Sequence, residues 1–347
     1  MKNLVILHLE SISRQRLATF ASAFPNTLRL MQGGVVFDNY HSSATSTVMV
    51  LTYLFHANDF ELDTSVRFDG AQPARNNRNV FEILQQRGYH SNLICLNGFP
   101  ARPIRLPAWG NSLPPIWETN DFPQLFARFD ALTDAPPFAI YVWDLISHVE
   151  HSMALAPHAN GLTDQLRRAC AVADQAVGVM RETLERKGLL DDTTIVLYGD
   201  HGDDFWTHGY KGGMIHGTEP YTDIMAAPLA IRDRDHAPSV RAGLASTIDI
   251  APTCLALLGV DAEPAFAYSG VDLMQRAQDV VYSQNFTLPC HDRCARPRRV
   301  LQHAAECACA GARRRGIRIR VEASVKKAGS RASTRTSSAT AACTRAC

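Results

Sequence analysis

The sequence predicts an α/β fold with a largely parallel central sheet and helices on both faces. Three observations carry this. Short apolar, β-branched runs alternate with amphipathic helical stretches from the N-terminus to about residue 286, the pattern of strand–helix units feeding a parallel sheet. The runs at 4–9, 138–143 and 194–198 are apolar nearly throughout, as expected of strands buried on both faces. Polar residues capable of chemistry stand just beyond their ends: Glu10, Asp144 with His148, and Asp200 with His201. Open α/β sheets bind ligands at the carboxyl edge of their strands.

Taken in order, Leu4 to Leu9 reads as the first central strand, ending at Glu10 and Ser11. Ser13 starts a helix, and Pro25-Asn26 opens a second helical segment that stops at Gly33-Gly34, following the usual placement of hydroxyl and proline at helix starts and glycine at ends. Val35 to Tyr40 is a strand leading into the small polar stretch 42–47, and hydroxyl residues before the apolar run 48–55 mark a helix N-terminus. Asn79 to Arg87 is an amphipathic helix closed by Gly88, and Ser91 to Leu96 is a strand. Residues 98–120, rich in Pro, Trp and Asn, are expected to form a long loop over the site. Phe138 to Trp143 is a strand, and Thr163 to Lys187 is the longest helix. Leu166, Cys170, Ala173, Val177 and Met180 form its inner stripe at three-to-four spacing. Then come the strand from Thr194, a strand at 228–231, a helix over 246–258 stopped by Gly259, and a last strand from Val280 to Phe286. No internal repeat is present.

The formal net charge of +1 hides an asymmetry. Positions 1–288 carry a net charge of −10, and the remainder carries +11. Residues 288–347 hold six of the nine cysteines and no Phe, Trp or Tyr, too little apolar surface to fold alone. The domain reading is therefore a catalytic body over 1–287 and a basic Cys/Arg/Ala/Ser-rich tail over 288–347, disordered or non-native. A nucleic-acid-binding role for the tail and a metal site at Cys307 and Cys309 are the functional alternatives, and neither is expected. Cys95, Cys170 and Cys254 lie in apolar or helical surroundings as buried hydrophobes. No signal peptide and no run long enough to span a membrane is read, so the expected location is the cytoplasm.

Asp200 and His201 at a strand end are a plausible pair of ligands for Zn²⁺ or Mn²⁺, set against the alternative of a salt-bridged turn. Glu10 after the first strand, the hydroxyls Thr45 to Thr47 at a helix start and His148 after a third strand complete a constellation. With residues 188–202, His208 to Lys211 and Ser246 to Thr253, the ordered set of motifs resembles the alkaline phosphatase/sulfatase superfamily over roughly residues 3–286. Sulfatases that use formylglycine place a Cys-x-Pro-x-Arg pattern where this chain has Thr45 to Val50, and two adjacent aspartates where it has Glu10-Ser11. Glu followed by a hydroxyl residue, with a threonine nucleophile, is similar instead to the lipoteichoic acid synthase and phosphoethanolamine transferase branch.

That resemblance implies one divalent ion, Mn²⁺ or Zn²⁺ (with Mg²⁺ or Ca²⁺ as further options), held by Glu10, Thr47, Asp200 and His201. Thr47 is the implied nucleophile by its spacing from the helix, with Thr45 and Ser46 as alternatives. His148 and His216 are candidates for binding the phosphoryl group and protonating the leaving group. His151, His208 and Lys211 are candidate phosphate contacts, and Asp203 and Asp204 are read as solvated or supporting residues. The expected activity is phosphoryl or substituted-phosphoryl transfer or hydrolysis through a covalent threonine, on a small-molecule, glycan or lipid-headgroup phosphoester. Sulfuric ester hydrolysis on the same fold and a truncated, inactive sulfatase-like protein are the competing readings.

Overall fold

The computed structural model describes residues 1–57, 78–98, 104, 106–151, 161–209, 216, 220–261 and 268–285, with the backbone of 318–322. An eight-stranded sheet runs through the described residues in the order β4-β3-β5-β1-β6-β7-β2-β8. Its centre is β5 (Phe138–Asp144), β1 (Asn3–Leu9) and β6 (Thr193–Gly199), fully buried and mutually parallel. β3 (His90–Leu96) and the short edge strand β4 (Trp117–Thr119) extend this parallel half. On the other side, β7 (Leu229–Arg232) is antiparallel to both β6 and β2 (Val35–His41), and β2 pairs in parallel with β8 (Ser239–Ser246) at the far edge. The predicted largely parallel sheet is thus present, with one reversed strand.

Two apolar clusters fill the two faces. Alternation along β1 divides Leu4 and Ile6 from Val5, Leu7 and Leu9, as the two-residue period of a strand requires. The first face is covered by α3 (Thr47–His56), α4 (Val80–Gln86) and α7 (Ile250–Leu257). The second is covered by α1 (Arg14–Thr19), α2 (Pro25–Gln32), α5 (Phe122–Leu132) and α6 (Leu162–Arg186). The stripe predicted for α6 is buried as a unit. Ser13 and Asn79 cap α1 and α4 with their side chains, and Gly88 and Gly259 close their helices at positive φ, where a β-carbon is disfavoured.

Three differences from the sequence expectations have physical reasons. The 98–120 segment is not simply a loop over the site. It carries β4, and Trp109 is buried 5.0 Å from the Phe81 ring and 5.7 Å from Phe55. Asn79 holds it there by donating to the carbonyls of Ala108 and Trp109. β8 was not expected, because an edge strand whose first half is largely exposed shows little apolar pattern. The segment read as lying outside the fold contributes one strand, β10 (Arg318–Glu322), antiparallel to β9 (Val280–Gln284). Its Ile319 and Val321 alternate with charged residues, a two-residue period hidden inside a basic composition.

Candidate active site

Register places the site. Leu9 of β1 stands opposite Asp144 of β5 on one side and Gly199 of β6 on the other, so Glu10 and Asp200 leave neighbouring strands side by side. Ser11 then turns at φ 56, and its N–H donates to Asp200 Oδ1 at 2.8 Å. The His201 N–H donates to the same oxygen at 2.9 Å. Gly202 cannot be another residue, because a β-carbon there would stand 2.5 Å from the Asp223 carbonyl oxygen and 2.6 Å from Ser13 Cβ.

α3 brings the third component. Thr47 is its first residue, and the preceding Ser46 provides no side-chain cap, which leaves first-turn N–H groups of the helix available to an anion. Thr47 Oγ1 donates to Glu10 Oε1 at 2.7 Å and lies 3.1 Å from His201 Nε2. That nitrogen is also 3.1 Å from Asp200 Oδ2 and 4.0 Å from Glu10 Oε1. His201 Nδ1 faces the Gly202 carbonyl at 3.1 Å. A carbonyl accepts only, so Nδ1 carries the proton and Nε2 presents its lone pair to the cluster. Glu10 Oε2 takes a bond from Trp143 Nε1 at 2.8 Å.

Glu10, Asp200 and His201 are fully buried, and no Lys or Arg among the described residues pairs with either carboxylate. Burial, and then the negative charge of Asp200, push Glu10 up to about 8. Burial opposes ionisation of Asp200 as well, but His201 and His8 outweigh it and hold its carboxyl below the usual range. Burial takes His201 down to about 3, so it is neutral at ordinary pH. Among the described residues Asp200 Oδ2 makes no well-aligned hydrogen bond and faces only His201 Nε2 at 3.1 Å and His8 Nε2 at 3.3 Å. Two adjacent buried carboxylates, a neutral imidazole lone pair, a hydroxyl and an orphaned carboxylate oxygen form a donor set that fits a divalent cation. His8, Glu10 and Asp200 offer ligand atoms all within 4.8 Å of one another.

A second group of side chains overlooks Thr47. His216 lies with its ring centroid 4.0 Å from His201 and 5.3 Å from His148, and His151 is 5.9 Å from His148. Asp203 Oδ1 accepts from His216 Nδ1 at 2.9 Å, and Asp203 Oδ2 is paired with Arg16 Nη1 at 3.2 Å. Arg16 also donates to the Ser11 carbonyl at 2.8 Å, tying this arm to the turn after β1. Burial works against the Asp203 charge, but the hydrogen bond and charge of His216, with Arg16, hold the carboxyl below its ordinary value. Burial, and then His216, lower His148 to about 4; burial, and then His148, lower His151 to about 4. His148 Nδ1 has no hydrogen-bond partner.

The family model described as Sulfatase matches residues 2–99 and 110–260, well over half of the chain. The chain belongs to the sulfatase family. Lipoteichoic acid synthase 2 of Bacillus subtilis (strain 168) is 27% identical over 180 residues, 49% of this chain and 26% of the synthase. Choline-sulfatase of Rhizobium meliloti (strain 1021) is 31% identical over 110 residues, 31% of this chain and 20% of the sulfatase. The chain therefore spans about a quarter or less of the length of these curated relatives. A solved protein of the alkaline phosphatase superfamily from Vibrio parahaemolyticus superposes with a TM-score of 0.65 at 20% identity, covering 82% of this chain and 73% of that one. The resemblance to the superfamily and to its lipoteichoic acid synthase branch is met, and members of this family act on sulfate or phosphate esters.

Of the residues singled out in this sulfatase-family chain, the structure brings Glu10, Thr47, Asp200 and His201 into one cluster and sets His148, His216 and His151 beside it. Thr45 is fully buried, and its N–H donates to the Gln284 carbonyl at 3.0 Å. His151 Nδ1 accepts from the Gly98 N–H at 3.0 Å, which fixes its ring at the margin. His208 is bonded to Asp204 and stacked on Tyr221 with centroids 3.6 Å apart; its ring contacts are with these residues, not with the histidine group. Lys211 lies outside the described residues. Asp203 and Asp204 are buried rather than solvated, each the partner of a histidine. His8 and Arg16 were missed by the sequence reading: His8 looks like an interruption of an apolar strand, and Arg16 like an ordinary helix surface residue. The only sequence signal for His8 is its two-residue spacing from Glu10, which puts both on one face of β1.

Among the described residues no helix is long and apolar enough to cross a membrane.

Proposed function

We propose that this chain transfers or hydrolyses phosphoryl or substituted phosphoryl groups, with Thr47 as covalent nucleophile. One observation supports this most: Thr47 Oγ1 stands at the first position of α3, 2.7 Å from Glu10 and 3.1 Å from His201 Nε2. A threonine hydroxyl is a poor nucleophile at its free pKa and needs activation. Glu10, Thr47, Asp200 and His201 are the residues that would hold a divalent ion. When bound, it supplies Lewis-acid charge for the hydroxyl and the phosphoryl oxygens.

The chain's own groups then have separable tasks. Glu10 accepts the Thr47 hydrogen bond and orients the oxygen. The first turn of α3 faces the anion with N–H groups. As the Thr47 O–P bond forms, Glu10 takes the Thr47 hydroxyl proton, and as the bond to the leaving oxygen breaks, His216 delivers a proton from Nε2 while Asp203 holds its Nδ1–H. His148 supplies a hydrogen bond to a phosphoryl oxygen. Water or an acceptor hydroxyl then attacks the phospho-threonine, giving its proton to His216 Nε2, while Glu10 returns a proton to the Thr47 oxygen as the O–P bond breaks. Phosphoryl transfer asks mainly for positioning and charge stabilisation, which this set provides.

The substrate class expected is a small-molecule, glycan or lipid-headgroup phosphoester, and the catalytic domain is assigned to 1–287. A sulfuric ester is the second reading. It is favoured by the similarity to a choline-sulfatase and opposed by the absence of Cys, Pro and Arg from residues 45–50. The test assays p-nitrophenyl phosphate, a p-nitrophenyl phosphodiester and p-nitrophenyl sulfate in parallel with Mn²⁺ or Zn²⁺, with Thr47→Ala as control. Turnover of phosphorus esters lost in Thr47→Ala supports the proposal; turnover of sulfate alone rejects it.

A further inference from the structure

Beneath the carboxylates lies a polar string in the apolar face of the sheet. His8 is 1% exposed and stands in register between Trp143 of β5 and Tyr198 of β6. Its ring stacks on both, with centroids 5.7 Å and 4.9 Å away. The ring therefore has no freedom to turn, and its two nitrogens point in fixed directions. Nδ1 meets the Tyr141 hydroxyl at 2.9 Å, and that hydroxyl bonds in turn to the hydroxyl of Tyr198. Nε2 faces Asp200 Oδ2 at 3.3 Å and Glu10 Oε2 at 3.6 Å, and it meets no other hydrogen-bond partner among the described residues.

Counting donors fixes the direction of the string. Among the described residues the Tyr198 hydroxyl has one partner, the Tyr141 oxygen. If Tyr198 donates to Tyr141, then Tyr141 donates to His8 Nδ1, and the remaining ring proton sits on Nε2, aimed at two carboxylate oxygens. Every donor then has an acceptor in reach. In the opposite direction the buried Tyr198 O–H donates to nothing, a loss typical of an unsatisfied buried donor, and an imidazole lone pair faces the Asp200 carboxylate.

We propose that His8 is a positioning residue: its Nε2–H, oriented by the Tyr198–Tyr141 relay, holds the Asp200 and Glu10 carboxylates from below and does not itself ligate the ion. This rests on the reading that Glu10 and Asp200 bind a metal. Outer hydrogen bonds of this kind set ligand orientation, and their loss typically weakens metal binding 10- to 100-fold.

The test is Mn²⁺ binding by the full chain, measured by competition with a chelator, with pulsed EPR counting the imidazole nitrogens bound to Mn²⁺. The wild type is expected to bind one Mn²⁺ with a single coordinated imidazole, that of His201. His8→Leu is expected to bind about 10- to 100-fold more weakly, and His8→Gln, which keeps an N–H donor, within about threefold of the wild type. Tyr141→Phe keeps the ring packing and cuts only the relay, so its weaker binding reports on the string even if His8→Leu folds poorly. Two coordinated imidazoles in the wild type, or unchanged affinity in both Tyr141→Phe and His8→Leu, would overturn the proposal. A wild type that binds no Mn²⁺ would instead bring down the metal reading, and this inference with it.

Discussion

Thr47 Oγ1 donates to Glu10 Oε1 across 2.7 Å, although 37 residues separate them in the chain. The contact joins the end of the first central strand to the start of α3. It depends on both elements reaching the carboxyl edge together. The hydroxyl is therefore the part of this cluster best placed to react, and the Thr47 side chain should be indispensable. Thr47→Ala is expected to lower turnover of a phosphorus ester by about 10⁴-fold or more, the scale of losing a covalent nucleophile. Thr47→Ser should retain measurable rate. Thr45→Ala should leave the rate within an order of magnitude. Mass spectrometry of rapidly quenched protein should find the phosphoryl adduct on the peptide containing residue 47 in the wild type and not in Thr47→Ala.

If Glu10 and Asp200 hold the proposed ion, the folded protein offers a buried cation site that the unfolded chain lacks. Chelation should therefore both stop turnover and lower the melting temperature. Mn²⁺ or Zn²⁺ at a hundred times its Kd should add about 2.7 kcal/mol of stability. Asp200→Ala should remove the cation-dependent increment, as read by thermal unfolding with and without metal. An increment of equal size in Asp200→Ala would place the ion elsewhere.

His216 is held through Nδ1 by Asp203, and Asp203 by Arg16. Asp203→Asn keeps a similar shape and still offers an oxygen to Arg16, but it no longer demands the Nδ1–H tautomer of His216. Turnover should fall by about 10²- to 10⁴-fold, the range of general acid catalysis, with KM changed much less than kcat. Replacing Asp203 by Ala is the poorer probe, because an uncompensated buried Arg16 costs about 3–5 kcal/mol of stability. Steady-state kinetics on an ester with an activated leaving group, which needs no protonation, should show a much smaller loss in Asp203→Asn.

The contrast between legible and hidden features follows from burial. β1, β5 and β6 declare themselves because a strand covered on both faces has almost no polar residue until it ends, and the end is where Glu10, Asp144 and Asp200 stand. The hydroxyl stretch 42–47 is legible as a helix start because polar residues precede an apolar run, whereas the choice of Thr47 within it comes from the family resemblance. The reversed direction of β7 is not written in a four-residue apolar segment, since parallel and antiparallel strands of that length share a composition. β8 hides because half of it faces solvent. His8 and Arg16 are hidden for a common reason. Their partners are side chains between two and 192 residues away, which periodicity cannot reveal.

At the opposite edge of the sheet, Asp233 ties the starts of β1 and β6 together. Lys2 Nζ reaches its two oxygens at 2.7 and 2.8 Å, Thr194 Oγ1 donates at 2.6 Å and the Asp235 N–H at 3.0 Å. Burial alone would raise its pKa, but the Lys2 and Thr194 hydrogen bonds win and hold the carboxyl below its ordinary value. A folded-state pKa below the unfolded value of about 3.9 stabilises the fold above that value and is lost as pH falls through the folded pKa. The wild type should therefore exceed Asp233→Asn in melting temperature by a few degrees at pH 7, since about 1 kcal/mol shifts a domain of this size by roughly 2–4 °C. The gap should close as pH falls through the lowered folded-state pKa of Asp233, when both side chains become uncharged. Because Asp233 lies far along the strands from Thr47, turnover per folded molecule at pH 7 should be unchanged. A gap independent of pH would mean that the tie acts through shape alone and not through the charge.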